Sequence, residues 1–286
     1  MSRDLVLATV AFVVGSGGLW LAGWWPAARD EAPPPEARSG ARLEQRAWRR
    51  LWRALVPAVL ICATLVGWGI QEPPQTDEPL RPLVALVAVP AVLLWLRAIH
   101  RAWGALRRPR RAPALATIGI VRPRIVVGED ACRALDAPAL EAALAHERAH
   151  VRHHDPLRIW LAQMATDLQW PSPFARRRFD RWLGALELAR DEEARRDGAP
   201  GADLAAAIVA VAKLGAAGSG GAIAALRGEG RLFACRIRRL LRPLCPNDVA
   251  SSRAALYAVT AVVAGGVLAG IAFGDVLLRA LPFIRS

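Results

Sequence analysis

Four of the five histidines in this chain lie within nine residues: His146, His150, His153 and His154. The first two form the motif His-Glu-x-x-His at 146–150. On an α-helix they lie one turn apart on the same face, so both imidazoles can reach one Zn²⁺ at about 2.0–2.1 Å. Glu147 lies beside that face, where it can accept a proton instead of binding the metal. The motif predicts a hydrolytic zinc site.

Such a site needs a third protein ligand and an open fourth position. The extended metzincin pattern is excluded, because His153 and Pro156 stand where it requires glycine and histidine. His154 is a weak candidate, since one straight helix cannot wrap three ligands around an ion. The better candidate is Glu187, with Asp191 one helical turn further on to bind the free N–H of a ligating histidine. An exposed acidic helix is the alternative interpretation of that run.

The elements that must position these residues can also be read from the sequence. Asp136 and Pro138 are typical of the start of a helix, and apolar residues recur at helical spacing through Val151. Two short runs with β-propensity, Thr117–Val121 and Ile125–Val127, precede that helix. We therefore predict two short β-prone segments followed by the helix that carries the motif.

Composition excludes several classes of protein. The chain has 286 residues, of which 54% are hydrophobic, so intrinsic disorder is excluded. Its four cysteines are far apart and show no metal or redox spacing, which excludes a small disulfide-stapled fold. The net charge is +13, and Lys213 is the single lysine among 38 basic residues. No nucleic-acid recognition motif accompanies this charge, so direct nucleic-acid binding is not expected.

Apolar runs long enough for membrane helices lead to a four-span prediction. The predicted fold class is mainly α: a four-span integral membrane protein with a cytoplasmic α+β zinc metallopeptidase domain between spans three and four. The predicted boundaries are spans at 5–28, 54–71, 82–100 and 254–278, a basic cytoplasmic loop at 29–53, an external loop at 72–81, the peptidase domain at 101–253 and an external tail at 279–286.

The arginines give the predicted orientation. They are concentrated in the 29–53 loop and after the third span, whereas the 72–81 loop is acidic. By the positive-inside rule we expect a multi-pass protein of the cell membrane, with its peptidase domain in the cytoplasm and both termini outside. Anionic lipid headgroups are then an expected partner of the basic segments.

Five blocks in order and spacing resemble the BlaR/MecR-type antirepressor family of integral-membrane zinc metallopeptidases. They are Gly119–Ile125, Leu144–Asp155, Trp170–Phe174, Glu187–Glu192 and Arg236–Leu240. The resemblance implies a gluzincin domain with one Zn²⁺ per chain. His146, His150 and Glu187 would be its ligands, and Glu147 the catalytic base. It also implies cleavage of a cytosolic protein, in particular a transcriptional repressor in a signal-response pathway, together with self-cleavage or homo-oligomer formation.

Three further expectations follow from this resemblance. An extended substrate would pair with the strand runs before the helix, as gluzincin substrates do. Arg236 and Arg238 are candidate stabilisers of the oxyanion. The chain stops at Ser286, so the extracellular penicillin-binding domain of the family's sensor members is not expected, and β-lactam recognition is not implied.

Two other functions remain open from the sequence. A membrane-protein quality-control protease resembling the HtpX/Ste24 type shares the His-Glu-x-x-His and Glu-x-x-x-Asp elements. A catalytically idle membrane scaffold or sensor is the alternative outside enzymes, although it would need none of His146, Glu147, His150 and Glu187 in register.

Overall fold

The computed structural model describes residues 3–24, 39–53, 55–71, 82–107, 115–218, 222–244 and 264–269. The chain is mainly helical there. Its elements are α1 (Arg3–Gly23), α2 (Gly40–Arg53), α3 (Val56–Gln71), α4 (Pro82–Arg107), β1 (Leu115–Ile118), β2 (Arg124–Val127), α5 (Glu129–Ala134), α6 (Ala137–Arg152), α7 (Asp155–Asp167), α8 (Pro173–Arg196), α9 (Gly201–Gly218) and α10 (Ala222–Leu240).

Helix α6 carries the histidine motif and begins where the sequence predicts. The Asp136 carboxylate accepts a hydrogen bond from the backbone N–H of Ala139 at 3.0 Å, which confirms it as the N-cap. Pro138 lies in the first turn, where its missing N–H has no helical partner to lose. Small alanines on the buried face let α6 approach α8 and α9 closely.

Helix α8 is the central element of the domain. Ser172 caps it by accepting from the Ala175 N–H at 3.3 Å. Trp182 and Leu186 are fully buried on its face toward α7 and α2, where they pack against Leu51 and Ala162. Because α8 is 24 residues long and buried along most of its length, it holds its polar residues in fixed positions relative to α6.

The two strands form an antiparallel pair in which Thr117 lies opposite Ile125. The pair lies against α6, which contacts both strands. The β-prone runs of the sequence are therefore strands, although β1 begins two residues before Thr117 and ends at Ile118. Gly119 follows with a φ of +96°, a conformation that glycine adopts without strain and that turns the chain toward β2.

Helix α2 lies within the 29–53 segment that the sequence predicts to be a basic loop, and the structure places it on the domain as an amphipathic helix. Its apolar side packs along α8: Leu51 is 2% exposed, and Trp48 lies 4.9 Å from Trp182 between ring centroids. Arg46, Arg49 and other arginines of α2 lie on the exposed side.

The four-span prediction is wrong for this structure. Among the described helices, none combines the length and the apolar character that crossing a bilayer requires. Helix α3 has 16 residues, which is about 24 Å of helix against about 30 Å of hydrocarbon. The apolar part of α4 ends at Arg97, and the guanidinium of Arg101 pairs with Asp167 of α7 at 3.0 Å rather than standing alone.

The predicted localisation depends on the four spans, and it is therefore also wrong for this structure. A multi-pass membrane protein with external termini was inferred from those spans and from the arginines between them, and the same finding on the described helices contradicts it. The 72–81 loop, the 279–286 tail and most of the fourth predicted span lie outside the described residues.

Leu204 offers a test of the core beneath α6 and α8. It is 1% exposed and packs with Ala142, Ala194 and Leu240, so it joins four helices. We expect Leu204→Ala to lower the free energy of unfolding by about 2–5 kcal/mol, because it removes buried methylenes and leaves a cavity. Urea denaturation followed by circular dichroism measures the change. The matched control Leu241→Ala, at a residue that is 64% exposed, should change stability by less than about 0.5 kcal/mol. Equal effects would contradict this packing.

Candidate metal centre

The two histidines of the motif turn the same nitrogen toward each other. The Nε2 atoms of His146 and His150 lie 3.0 Å apart, and the two residues are 7% and 8% exposed. The i, i+4 spacing on α6 produces this arrangement, because it places the rings one turn apart on the face that packs against α8. The two nitrogens can therefore serve as a pair of donors to one cation.

Glu187 of α8 supplies a third donor from the opposite side. Its Oε2 lies 3.5 Å from Nε2 of His146, and its Oε1 lies 3.7 Å from Nε2 of His150. Donor atoms of these three residues all lie within 4.8 Å of one another. Ligands at 2.0–2.2 Å from a tetrahedral zinc ion lie about 3.4 Å apart, so the spacing fits such an ion without rearrangement of the helices. Two nitrogens and one carboxylate oxygen form a donor set that zinc accepts.

A carboxylate lies at the second nitrogen of each histidine. Nδ1 of His150 is 2.9 Å from Oδ2 of Asp155, which is fully buried. Nδ1 of His146 is 2.9 Å from Oδ1 of Asp191, an ion-pair contact rather than a well-formed hydrogen bond. A carboxylate at Nδ1 favours the proton on that nitrogen and leaves the Nε2 lone pair available to a metal.

Asp155 is the partner that sequence reasoning did not assign. The chain turns sharply at His154, whose φ is +51°, and the next residue begins α7. This turn brings Asp155 back beneath His150, five residues away. An aspartate five residues after the motif is visible in the sequence, but its contact with His150 depends on the turn and on the guanidinium of Arg190, which also binds it.

The surroundings of the donors favour a positive charge. Burial by itself would lower the pKa of His146, but Asp191 and Glu187 outweigh this effect and raise it to about 9. Burial would raise the pKa of Glu187, whereas the hydrogen bond to His146 and the charge of Arg236 hold it well below its usual range. A pocket that stabilises a proton so strongly between these groups is electrostatically suited to a divalent cation.

The donor atoms of His146, His150 and Glu187 form a group that we call the donor triangle. Glu147 is half-buried beside this triangle, and a residue of the neighbouring strand holds it in place. The Thr117 hydroxyl lies 2.6 Å from Oε2 of Glu147 and 3.1 Å from the Glu147 carbonyl oxygen. Sequence reasoning marked Thr117 only as the start of a strand run. The hydrogen bond fixes one carboxylate oxygen, and it ties β1 to the helix that carries the motif.

The two arginines proposed for oxyanion stabilisation lie in different places. Arg236 of α10 reaches the site: its Nε and one terminal nitrogen each lie 2.8 Å from Asp191, and the other terminal nitrogen lies 2.9 Å from Glu187. These acidic neighbours raise the pKa of Arg236 despite its burial. Arg238 is exposed and donates to the Ala234 carbonyl of its own helix, so the structure does not bring it to the site.

The other histidines of the cluster point elsewhere. Nε2 of His153 lies 2.9 Å from Glu193, and His154 is exposed at the turn before α7. Both lie outside the donor triangle, so the site takes two of the four clustered histidines.

A comparison with family models gives a result for this part of the chain. Residues 111–197 match the family model described as BlaR1 peptidase M56. The matched segment runs from just before β1 through the end of α8, and it therefore contains His146, His150, Glu187, Asp191 and Glu147. No curated protein and no solved structure matches the chain.

The match supports the M56 peptidase family broadly, and with it the resemblance drawn from the sequence blocks. It also supports the expectation of a peptidase. The match does not show the antirepressor subtype, the substrate or the presence of a sensor domain. The matched residues include neither α2 nor Arg236.

Metal binding tests the donor triangle directly. We expect the full chain to retain about one divalent metal ion after dialysis, and the His146→Ala/His150→Ala variant to retain none, because two of three donors are lost. Elemental analysis of the purified proteins measures this. His153→Ala is the matched control and should keep its metal, since His153 pairs with Glu193. A double variant that retains the ion would contradict the assignment.

Proposed function

We propose that this protein is a zinc-dependent endopeptidase that cleaves a protein substrate. One observation carries the proposal: two histidine Nε2 atoms and a glutamate carboxylate converge within 4.8 Å, and each histidine has a carboxylate at its Nδ1. An exposed acidic helix, the alternative reading of the Glu187 run, would not place these groups around a shared point. The match of residues 111–197 to a peptidase family supports the same function.

In this proposal His146, His150 and Glu187 hold one Zn²⁺ per chain. When bound there, Zn²⁺ would provide Lewis-acid chemistry for polarising a scissile carbonyl and lowering the pKa of a water molecule. Asp155 and Asp191 keep the two imidazoles in the tautomer and orientation that metal binding needs. Arg236 offsets the charge of Glu187 and Asp191, so that these two carboxylates can lie close to the same point.

Glu147 acts as the general base and then as the general acid. Its Oε2 accepts the Thr117 hydrogen bond, which leaves Oε1 available to take a proton from the attacking water and pass it to the leaving amine. Because Thr117 is in β1, the base is held by the same strand that lies beside the cleavage site.

The substrate binds as an extended segment along β1. Within the described residues the sheet has two strands, so β1 pairs with β2 on one edge and has no strand partner on the other. Adding a peptide strand there supplies main-chain hydrogen bonds that do not depend on sequence. Thr117 and Glu147 would then lie close to the backbone of the bound segment.

A transcriptional repressor is the substrate class that we propose, by analogy with the antirepressor family that the sequence blocks resemble. Self-cleavage is a second consequence of the same chemistry. A quality-control protease would share the metal centre, so the two functions are distinguished by what is cleaved rather than by the site.

Glu147→Gln tests the catalytic role of the base. We expect this variant to keep its metal and to lose cleavage by about 10²–10⁴-fold, because the amide cannot accept the proton. Comparing the protein content of cells that carry the variant or the parent protein shows which substrates accumulate. A stabilised repressor supports the proposed substrate class, whereas broad stabilisation of membrane proteins would replace it by quality control. Unchanged cleavage in the variant would overturn the role of Glu147.

Thr117→Val tests whether the strand holds the base in position. Valine keeps the shape and the β-propensity of threonine but cannot donate, so we expect metal content to stay the same and kcat to fall about tenfold with little change in KM. Steady-state kinetics measures both constants, with the protein that accumulates in the Glu147→Gln cells as the substrate. The matched control is Thr166→Val, whose hydroxyl bonds to the Ala162 carbonyl within α7; it should leave kcat unchanged. If both variants behave alike, the Thr117 bond has no catalytic role.

A further inference from the structure

The carboxylate of Glu44 lies far from the motif in sequence and close to it in the fold. Glu44 is on α2, and its side chain is 12% exposed. One carboxylate oxygen binds the guanidinium of Arg158 in α7, and the other lies 3.8 Å from Arg190 in α8. A single acidic residue of α2 therefore meets two arginines from the helices that flank the metal centre.

Both arginines also form hydrogen bonds with the same aspartate, Asp155. Arg158 donates to Oδ1 of Asp155 at 2.9 Å, and Arg190 binds both oxygens of Asp155, donating to Oδ1 at 3.1 Å. Asp155 in turn holds Nδ1 of His150 at 2.9 Å. The path from α2 to a donor nitrogen therefore consists of Glu44, an arginine, Asp155 and His150, with an ion pair or hydrogen bond at each step.

Glu44 contributes one of the negative charges that balance the two arginines in this chain of contacts. Glu44 and Asp155 carry two negative charges against the two positive charges of Arg158 and Arg190. Without Glu44, both guanidiniums would compete for Asp155 and draw it away from His150, and an uncompensated positive charge would remain beside the donors. Glu193 also reaches Arg190, at 3.2 Å, but it is shared with Arg152 and His153.

Packing fixes Arg158 and α2 in the positions that this contact needs. The guanidinium of Arg158 lies 4.8 Å from the centroid of the Trp48 ring and 5.7 Å from that of Trp182, within the range of cation–π contacts. At the start of α2, the Gly40 N–H donates to Glu192 at 2.8 Å. A Cβ on Gly40 would lie 2.6 Å from the Leu188 carbonyl oxygen, so the α2 backbone rests directly on α8.

We propose that Glu44 is a positioning residue for the metal centre, which makes docked α2 a functional part of the site. It acts mainly through its hydrogen bond with Arg158, with Arg190 at 3.8 Å as the minor partner, so that Asp155 is free to orient His150. This inference rests on the proposed metal centre, and it extends that centre to a helix outside the residues that match the peptidase family.

Metal affinity, measured by competition with a chromophoric chelator, tests the proposal without a substrate. We expect Glu44→Gln to weaken Zn²⁺ binding by about threefold to tenfold, below the 10–100-fold typical of residues that contact a ligand directly. The visible spectrum of the Co²⁺-loaded variant should shift, because the geometry at His150 changes. Glu141→Gln, an equal charge change on the exposed side of α6, is the matched control and should bind like the parent.

A double-mutant cycle tests whether Glu44 affects metal binding through Arg158. In an Arg158→Gln background, adding Glu44→Gln should weaken binding by less than twofold, because the main path is already cut. Glu44→Asp keeps the charge but shortens the reach to Arg158, so it should bind Zn²⁺ more weakly than the parent protein and more tightly than Glu44→Gln. The comparison with the parent protein provides a reading if the glutamine variant folds poorly.

The outcomes separate the two proposals. A parent protein that binds no Zn²⁺ overturns the proposed function and this inference with it. A parent that binds Zn²⁺, together with a folded Glu44→Gln variant of the same affinity and the same Co²⁺ spectrum, overturns the role of Glu44 alone. Weaker binding in Glu44→Gln that is additive with Arg158→Gln also overturns it, because the effect would then not pass through Arg158.

Discussion

The close packing of α6 against α8 is the constraint on which the candidate site depends. Three donor atoms from two helices can come within 4.8 Å only if the backbones are held at short range, and alanines on the buried face of α6 permit this approach. Trp182 and Leu186 then fix α8 from its other side. Because interiors are densely packed, a small shift of either helix would move Glu187 away from both imidazoles.

Charge compensation is the second requirement that this packing creates. Placing the half-buried Glu187 and the buried Asp191 and Asp155 near one point is costly unless each carboxylate is paired. Arg236 from α10 and Arg190 from α8 supply these pairs, and Glu44 from α2 balances the arginines in turn. The arginine-rich composition, interpreted from the sequence as a membrane-topology signal, therefore serves in part to neutralise a buried acidic cluster.

Much of the site follows from local rules. The i, i+4 spacing of His146 and His150, the cap at Asp136 and the Glu187–Asp191 spacing can all be read from the sequence, since each depends on the geometry of a single helix. The four-span prediction failed because an apolar run in the sequence does not fix the length of the helix that it forms, and none of the described helices is long and apolar enough to cross a bilayer. The contacts of Asp155, Thr117 and Glu44 could not be read either, because each joins elements that are separated along the chain.

The sequence by itself determined which residues could bind a metal, since helical periodicity fixes which side chains share a face. It also determined where the helix that carries the motif begins, because capping is a local hydrogen bond. Only the tertiary structure decided that Arg236 pairs with Glu187 while Arg238 points away, that Asp155 lies beneath His150, and that α2 contacts Arg158 and Arg190 through Glu44. These contacts are set by how helices dock, and docking depends on the shape and charge of whole surfaces rather than on spacing along one segment.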